Sequence, residues 1–174
     1  MRDWLKRWDA RRRAELEARA PRVRETTYEL VRELATPLVE QGLARLDWTE
    51  ANPKDEWLAD GAVTLVPANG EAASVEVVPG PAWVNLGLGP HGNSHEVVID
   101  KEGQWEGHLR ACLEAVIEGR YRESASPGRI SPRVVTMTLE MPAKADIVVK
   151  HHVLYALEAE EEEPPAERRF ASYA

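Results

Sequence analysis

The chain has a single cysteine among its 174 residues. That excludes an internal disulfide and any cysteine-rich zinc module. Cys112 falls on an apolar helical face, so it reads as a small buried residue rather than a reactive thiol. Long hydrophobic runs are missing as well. The opening stretch MRDWLKRWDARRR is charged throughout and offers no secretory or membrane segment, so a cytoplasmic, bacterial-type protein is expected. There is no Gly-rich phosphate loop, paired-His helix motif, nucleophile elbow or acidic calcium loop. Gly87-Leu88-Gly89 closes a strand and meets a proline, which removes a dinucleotide fingerprint. No catalytic residue and no cofactor is therefore assigned, and the reading leans away from an enzyme. Internal repeats are absent too.

Positive charge is scarce except at one end. Residues 1–24 carry nine Lys/Arg against four Asp/Glu, a balance of +5, which leaves −13 on the other 150 residues of a chain of net charge −8. An acidic body disfavours non-specific contact with nucleic acid, so that class of partner is left only to residues 1–24. A chain of this length can bury roughly 70% of its unfolded surface as one domain.

The clearest periodicity is GQWEGHLRACLEAVIEGRYR, residues 103–122. Trp105, Leu109, Cys112, Leu113, Val116 and Ile117 share one helical face, while Glu106, Arg110, Glu114 and Glu118 lie opposite. Asp100 stands at the capping position ahead of it. Near the start, Asp3–Ala20 reads as a short helical arm in which Trp4 and Trp8, one turn apart, form an aromatic ridge followed by Arg11, Arg12 and Arg13. Pro21 suits the first turn of a second helix over about 22–41, with Val23, Thr27, Leu30, Val31, Leu34 and Leu38 as its apolar stripe. Pro37 should kink it or end it near Thr36, and Gly42 is the stop signal.

Strands are expected at 43–49, on both sides of Asn69-Gly70, at 82–88, 95–100, 133–141 and 147–155. Turn signals stand at Asn52-Pro53, at Asp60-Gly61 and at Pro79-Gly80, the last suited to a type II turn. For the Asn69-Gly70 hairpin, a three-residue loop pairs Leu65 with Ala73 and Val63 with Val75 and places Gly70 in the left-handed region. SASPGRISP is a connector, and EAEEEEPPAERRFASYA a charged, proline-containing tail with the composition of disorder. The expected architecture is α+β: a mostly antiparallel sheet of about six strands, packed on one side by two main helices. Residues 1–20 would be a basic arm, 21–157 the domain, and 158–174 the acidic disordered tail.

Three groups of residues qualify as candidate sites. His91, His95 and Glu96 have metal-compatible donors beside flexible glycines, but lacking a fourth ligand they read as solvated, and no metal is assigned. His151 and His152 point to opposite faces of a strand and cannot chelate one ion together. Trp83, Asn85, Thr136, Thr138 and His152 would line an open sheet face suited to recognition. With Trp4, Trp8, Arg11 and Arg12 of the arm, they form the expected partner-binding set.

No motif identifies a family. In size, acidity and layout the chain resembles small bacterial immunity proteins and secretion chaperones, which implies protein binding without catalysis. The leading expectation is thus a non-enzymatic cytoplasmic protein-binding module, with self-association through the arm as one form of it. The alternatives are a small-molecule or metal-dependent enzyme using the His-containing loop or the sheet face, and nucleic-acid binding through the arm.

Overall fold

The structure is a computed structural model that describes residues 2–51, 61–89, 93–100, 103–126, 133–141, 146–153 and 167–174. Helix α1 spans Arg2–Glu40 without interruption and runs through both Pro21 and Pro37. The two helices expected here are one. A proline deletes only a single i→i−4 bond, and the Ala, Arg and Glu around Pro21 are strong helix formers, so the helix absorbs a cost of about 3 kcal/mol. Gly42, at φ 70°, ends it as expected.

Five strands follow: β1 Ala44–Thr49, β2 Ala62–Pro67, β3 Val75–Pro79, β4 Trp83–Leu88 and β5 Asn93–Val98. They form an antiparallel meander in sequence order. Helix α2, Gln104–Ile117, crosses to a second sheet built from β6 Tyr121–Ser126, β7 Arg133–Leu139, β8 Ile147–Val153 and β9 Glu167–Arg169, in the order β8-β7-β6-β9. The class is α+β with antiparallel sheets, as expected, but its strands are divided between two sheets. Residues 121–122, expected at the end of a helix, begin β6, because Gly119 (φ 73°) terminates α2. The N-cap of α2 is Gly103 (φ 78°) and not Asp100, although the Asp100 carboxylate, three residues before it, accepts the Gln104 N–H at 3.1 Å.

One continuous core joins α1, both sheets and α2. From α1 it takes Val23, Leu30, Val31 and Ala35; from α2, Trp105, Leu109, Cys112, Leu113 and Val116; from the second sheet, Tyr121, Met137 and Leu139. Trp48, whose facing the sequence leaves open, lies against α1, edge-on to Tyr28 at 5.1 Å and 4.9 Å beneath the Arg32 guanidinium.

The β2–β3 register differs from expectation by two residues. Leu65 pairs with Val75 and Val63 with Val77. The parity is unchanged, so the same side chains face the core, but residues 66–74 form a longer connection. The C-terminal segment explains it: Ala171 bridges Ala72, its N–H donates to the Glu71 carbonyl at 3.1 Å, and the Tyr173 hydroxyl donates to the Ala73 carbonyl at 2.7 Å. Residues 71–73 bond to that segment instead of to β2. Neither Gly70 nor Gly80 has positive φ, so the left-handed loop position and the type II turn are not formed.

Residues 167–174, the part of the expected tail that is described, are structured rather than disordered, with β9 paired to β6 and with Phe170 and Tyr173 only 4% and 1% exposed. The acidic run 158–166, the turn at Asn52-Pro53 and the stretch 127–132 lie outside the described residues.

Candidate functional site

The residues expected to form a single open face are separated. Trp83 and Asn85 are half-buried on β4, on the wet side of the first sheet with the exposed Glu76 and Glu96. Thr136, Thr138 and His152 belong to the second sheet, with Thr136 opposite Lys150 and His152 opposite Val134. Thr138, expected to face outward, is 7% exposed. The common surface does not exist, because α2 takes the chain out of the first sheet before β6 begins. Trp4 and Trp8 lie in the opening turns of α1, while Arg11 and Arg12 are exposed on its next turn.

The arm is structurally distinct from the rest of α1. From Ala10 to Arg22 no residue is buried, and Val23, the next along the helix, is. Leu16, Ala20, Val23, Thr27, Leu30 and Leu34 follow each other at alternating steps of four and three, so they form one stripe. The body covers its C-terminal part, whereas Leu16 and Ala20 remain half-exposed. At the root of the arm a cleft opens between Arg19 and Arg22 on one side and Asp100 and Glu106 on the other. Its walls carry both signs, so it selects no ligand by charge.

The second feature is a polar seam inside the protein, along β5. Asn93, His95 and Val97 alternate onto one face of that strand, and Asn93 is 1% exposed. The Asn93 amide Nδ2 donates to the Glu123 carboxylate at 2.6 Å, and the Tyr121 hydroxyl donates to the same oxygen. Glu123 itself is 4% exposed. Tyr121 stacks on Phe170 at 4.8 Å, and the Arg168 guanidinium lies 4.7 Å above that ring. Gly89, at φ 64°, passes so close that a Cβ there would stand 2.9 Å from the Glu123 carboxylate.

Two residues further along the same face, His95 meets α2. Its Nε2 lies 3.3 Å from the His108 Nε2, and Cys112 is one helical turn beyond His108. The ligand atoms of all three lie within 4.8 Å of one another. Burial holds the His95 imidazole below its ordinary pKa, and the neighbouring His108 adds to the effect. Of the sequence candidates, His95 is therefore in a cluster, but with different companions. Glu96 points to the opposite, exposed side of β5, and His91 lies outside the described residues. The missed members, His108 and Cys112, carry a readable signal: an i,i+4 pair of donors on one helix face.

Burial also raises the pKa of the Tyr121 and Tyr173 phenols, with the Glu123 hydrogen bond adding to it at Tyr121. Both stay protonated in the folded state, whereas an unfolded chain ionises its tyrosines near pH 10. A group with a raised folded pKa contributes stability below its unfolded value and loses it as pH rises through the folded one. Stability should accordingly fall above pH 10, and of the four tyrosines these two should ionise only with unfolding. An alkaline titration read by tyrosinate absorbance and circular dichroism together checks this. Full ionisation of all tyrosines with the fold intact would contradict it.

No protein-family model matches the chain, and no curated protein or solved structure matches it.

Proposed function

We propose that the chain is a non-enzymatic, cytoplasmic protein-binding module whose grip is the N-terminal half of α1. The occupant is the acidic body of a second copy. One observation carries the reading: residues 10–22 continue α1 beyond the core with nothing buried. An isolated helical segment of this length is marginal in water, so it gains stability from any surface that covers it. Its stripe supplies the apolar contact through Leu16 and Ala20, and Trp4, Leu5 and Trp8 add apolar residues further out in the sequence.

Charge selects the partner. The arm segment 1–24 has a balance of +5 and the remainder −13, so arm and body of different copies attract. The exposed Arg11, Arg12 and Arg13 face a body that displays Glu71, Glu76, Glu96, Asp100 and Glu118.

Sedimentation equilibrium of the full chain and of a chain lacking residues 1–20 tests the reading. The full chain should self-associate at low ionic strength and weaken as salt screens the contact. The truncated chain should remain monomeric and keep a cooperative thermal transition, losing only the helical circular dichroism signal of the deleted part of α1, since the α1 residues of the core, Val23, Leu30, Val31 and Ala35, are retained. A full-length monomer at every concentration, or equal association of both chains, would overturn the proposal. If the arm instead binds duplex DNA or RNA with a steep salt dependence, the nucleic-acid reading replaces it.

A further inference from the structure

The imidazole–thiol cluster at the junction of β5 and α2 has a chemistry that the binding proposal does not use. We infer that His95, His108 and Cys112 form a site for one Zn²⁺ ion, bound through two imidazole nitrogens and one thiolate, with the remaining position open to water or a fourth donor.

The geometry comes first. Zinc takes nitrogen ligands at about 2.0–2.1 Å, and tetrahedral angles then separate two such nitrogens by about 3.3–3.4 Å. The observed separation of the two Nε2 atoms is 3.3 Å. The rings are tilted by 55° with centroids 5.6 Å apart, so the two Nε2 atoms face each other end to end, as in an imidazole–imidazole hydrogen bond, and each ring has to pivot to turn its lone pair onto a shared ion. A tetrahedral nitrogen–sulfur edge is about 3.6 Å, from zinc–sulfur bonds of about 2.3 Å. All donor atoms already lie within 4.8 Å of one another, so Cys112 needs no more than a small adjustment.

Placement comes second. His108 and Cys112 are one turn apart on the same face of α2, and His95 approaches from a strand of the first sheet. A pair of donors fixed on a helix and a third on a strand are held by elements that already pack in one core, which limits the ordering cost of binding. The donor set of two imidazoles and one thiolate suits zinc and excludes calcium and magnesium, which take oxygen ligands.

Protonation comes third. Metal binding needs neutral imidazoles and a thiolate. Two imidazolium ions with their Nε2 atoms 3.3 Å apart would repel each other, so the close pair disfavours double protonation. On binding, the Cys112 thiol proton passes to solvent. Cys112 is fully buried, so the thiolate depends on the ion for its stability.

Cobalt provides the test, because it occupies zinc sites and absorbs visibly. Untagged, reduced protein is titrated with Co²⁺ near neutral pH. The expected spectrum has tetrahedral ligand-field bands and a sulfur-to-cobalt charge-transfer band, saturating at one ion per chain and removed by Zn²⁺. The chain has only one cysteine, so the charge-transfer band assigns Cys112 in the unaltered protein. His95→Gln and His108→Gln should each weaken binding by more than about a hundredfold, since even partners of the ligands cost ten- to a hundredfold. His91→Gln should leave it unchanged. If a histidine variant fails to fold, thermal melting of the unaltered protein supplies a second readout: zinc should raise the midpoint and a chelator should restore it. Absence of the charge-transfer band would overturn the site. So would binding that survives both substitutions, or binding lost in His91→Gln.

Discussion

Truncation after Arg169 should leave a chain that no longer folds cooperatively at room temperature. The five residues removed include Phe170 and Tyr173, which are 4% and 1% exposed in the core. Losing a buried aromatic side chain costs about 3–5 kcal/mol, so two of them approach or exceed the whole stability of an ordinary domain, about 5–15 kcal/mol. Hydrogen bonds disappear with them. The Tyr173 hydroxyl bonds the Ala73 carbonyl at 2.7 Å, the Tyr173 N–H bonds the Ile117 carbonyl at 2.9 Å, and the Phe170 N–H bonds the Tyr121 carbonyl at 3.2 Å. The segment threads past Gly119, where a Cβ would stand 2.6 Å from the Ser172 nitrogen, so the backbone itself is shaped to receive it. Loss of the sigmoidal urea transition is the expected outcome. A truncated chain melting within a few degrees of the full one would show that the last residues only decorate the surface.

Glu123→Ala should be the most costly single polar substitution. Two buried donors, the Asn93 amide and the Tyr121 hydroxyl, converge on one Glu123 oxygen. Removing that acceptor strands both, at about 1–3 kcal/mol each. The two donors are also 3.4 Å apart and can bond one another, so part of the loss is recovered and the net expectation is about 2–4 kcal/mol. Glu123→Gln keeps an acceptor oxygen and should cost visibly less. Urea denaturation midpoints of the two variants measure the difference. A Glu123→Ala effect within about 0.5 kcal/mol, the range of surface substitutions, would mean that the seam does not join the two sheets energetically.

Where period and burial coincide, the sequence is a good guide to this fold. Helix α2 is legible because its apolar face repeats cleanly, and β4 and β7 because aliphatic residues alternate. β6 is not, because its inward positions are Tyr121 and Glu123 and not two aliphatics, and a buried carboxylate inverts the expected pattern. The end of the chain was hidden by composition. Glutamate and proline dominate residues 158–166, yet FASYA after them has two aromatics three residues apart, which a disordered segment would not need. Pro21 misled in the opposite direction: a helix-start signal lies inside a helix that its neighbours favour strongly enough to continue.

The candidate residues divide in the same way. The basic arm is readable because charge is additive along the chain. The single recognition face is not, since it required one sheet, and the crossover through α2 places Thr136, Thr138 and His152 in another. For the imidazole–thiol cluster, His95 was visible beside glycines, whereas its companions depended on which side of β5 met which turn of α2. Tertiary packing decides that, and spacing alone does not.

Amide hydrogen exchange along α1 tests the arm most directly, measured at low and high protein concentration in low salt. An uncovered helix opens readily, so residues 10–20 should exchange fast in dilute solution. Docking on the acidic body of a second copy should slow the same amides as concentration rises, with residues 23–38 protected throughout by the core. Exchange of residues 10–20 that stays fast, or stays slow, at both concentrations would contradict a grip that works by being covered.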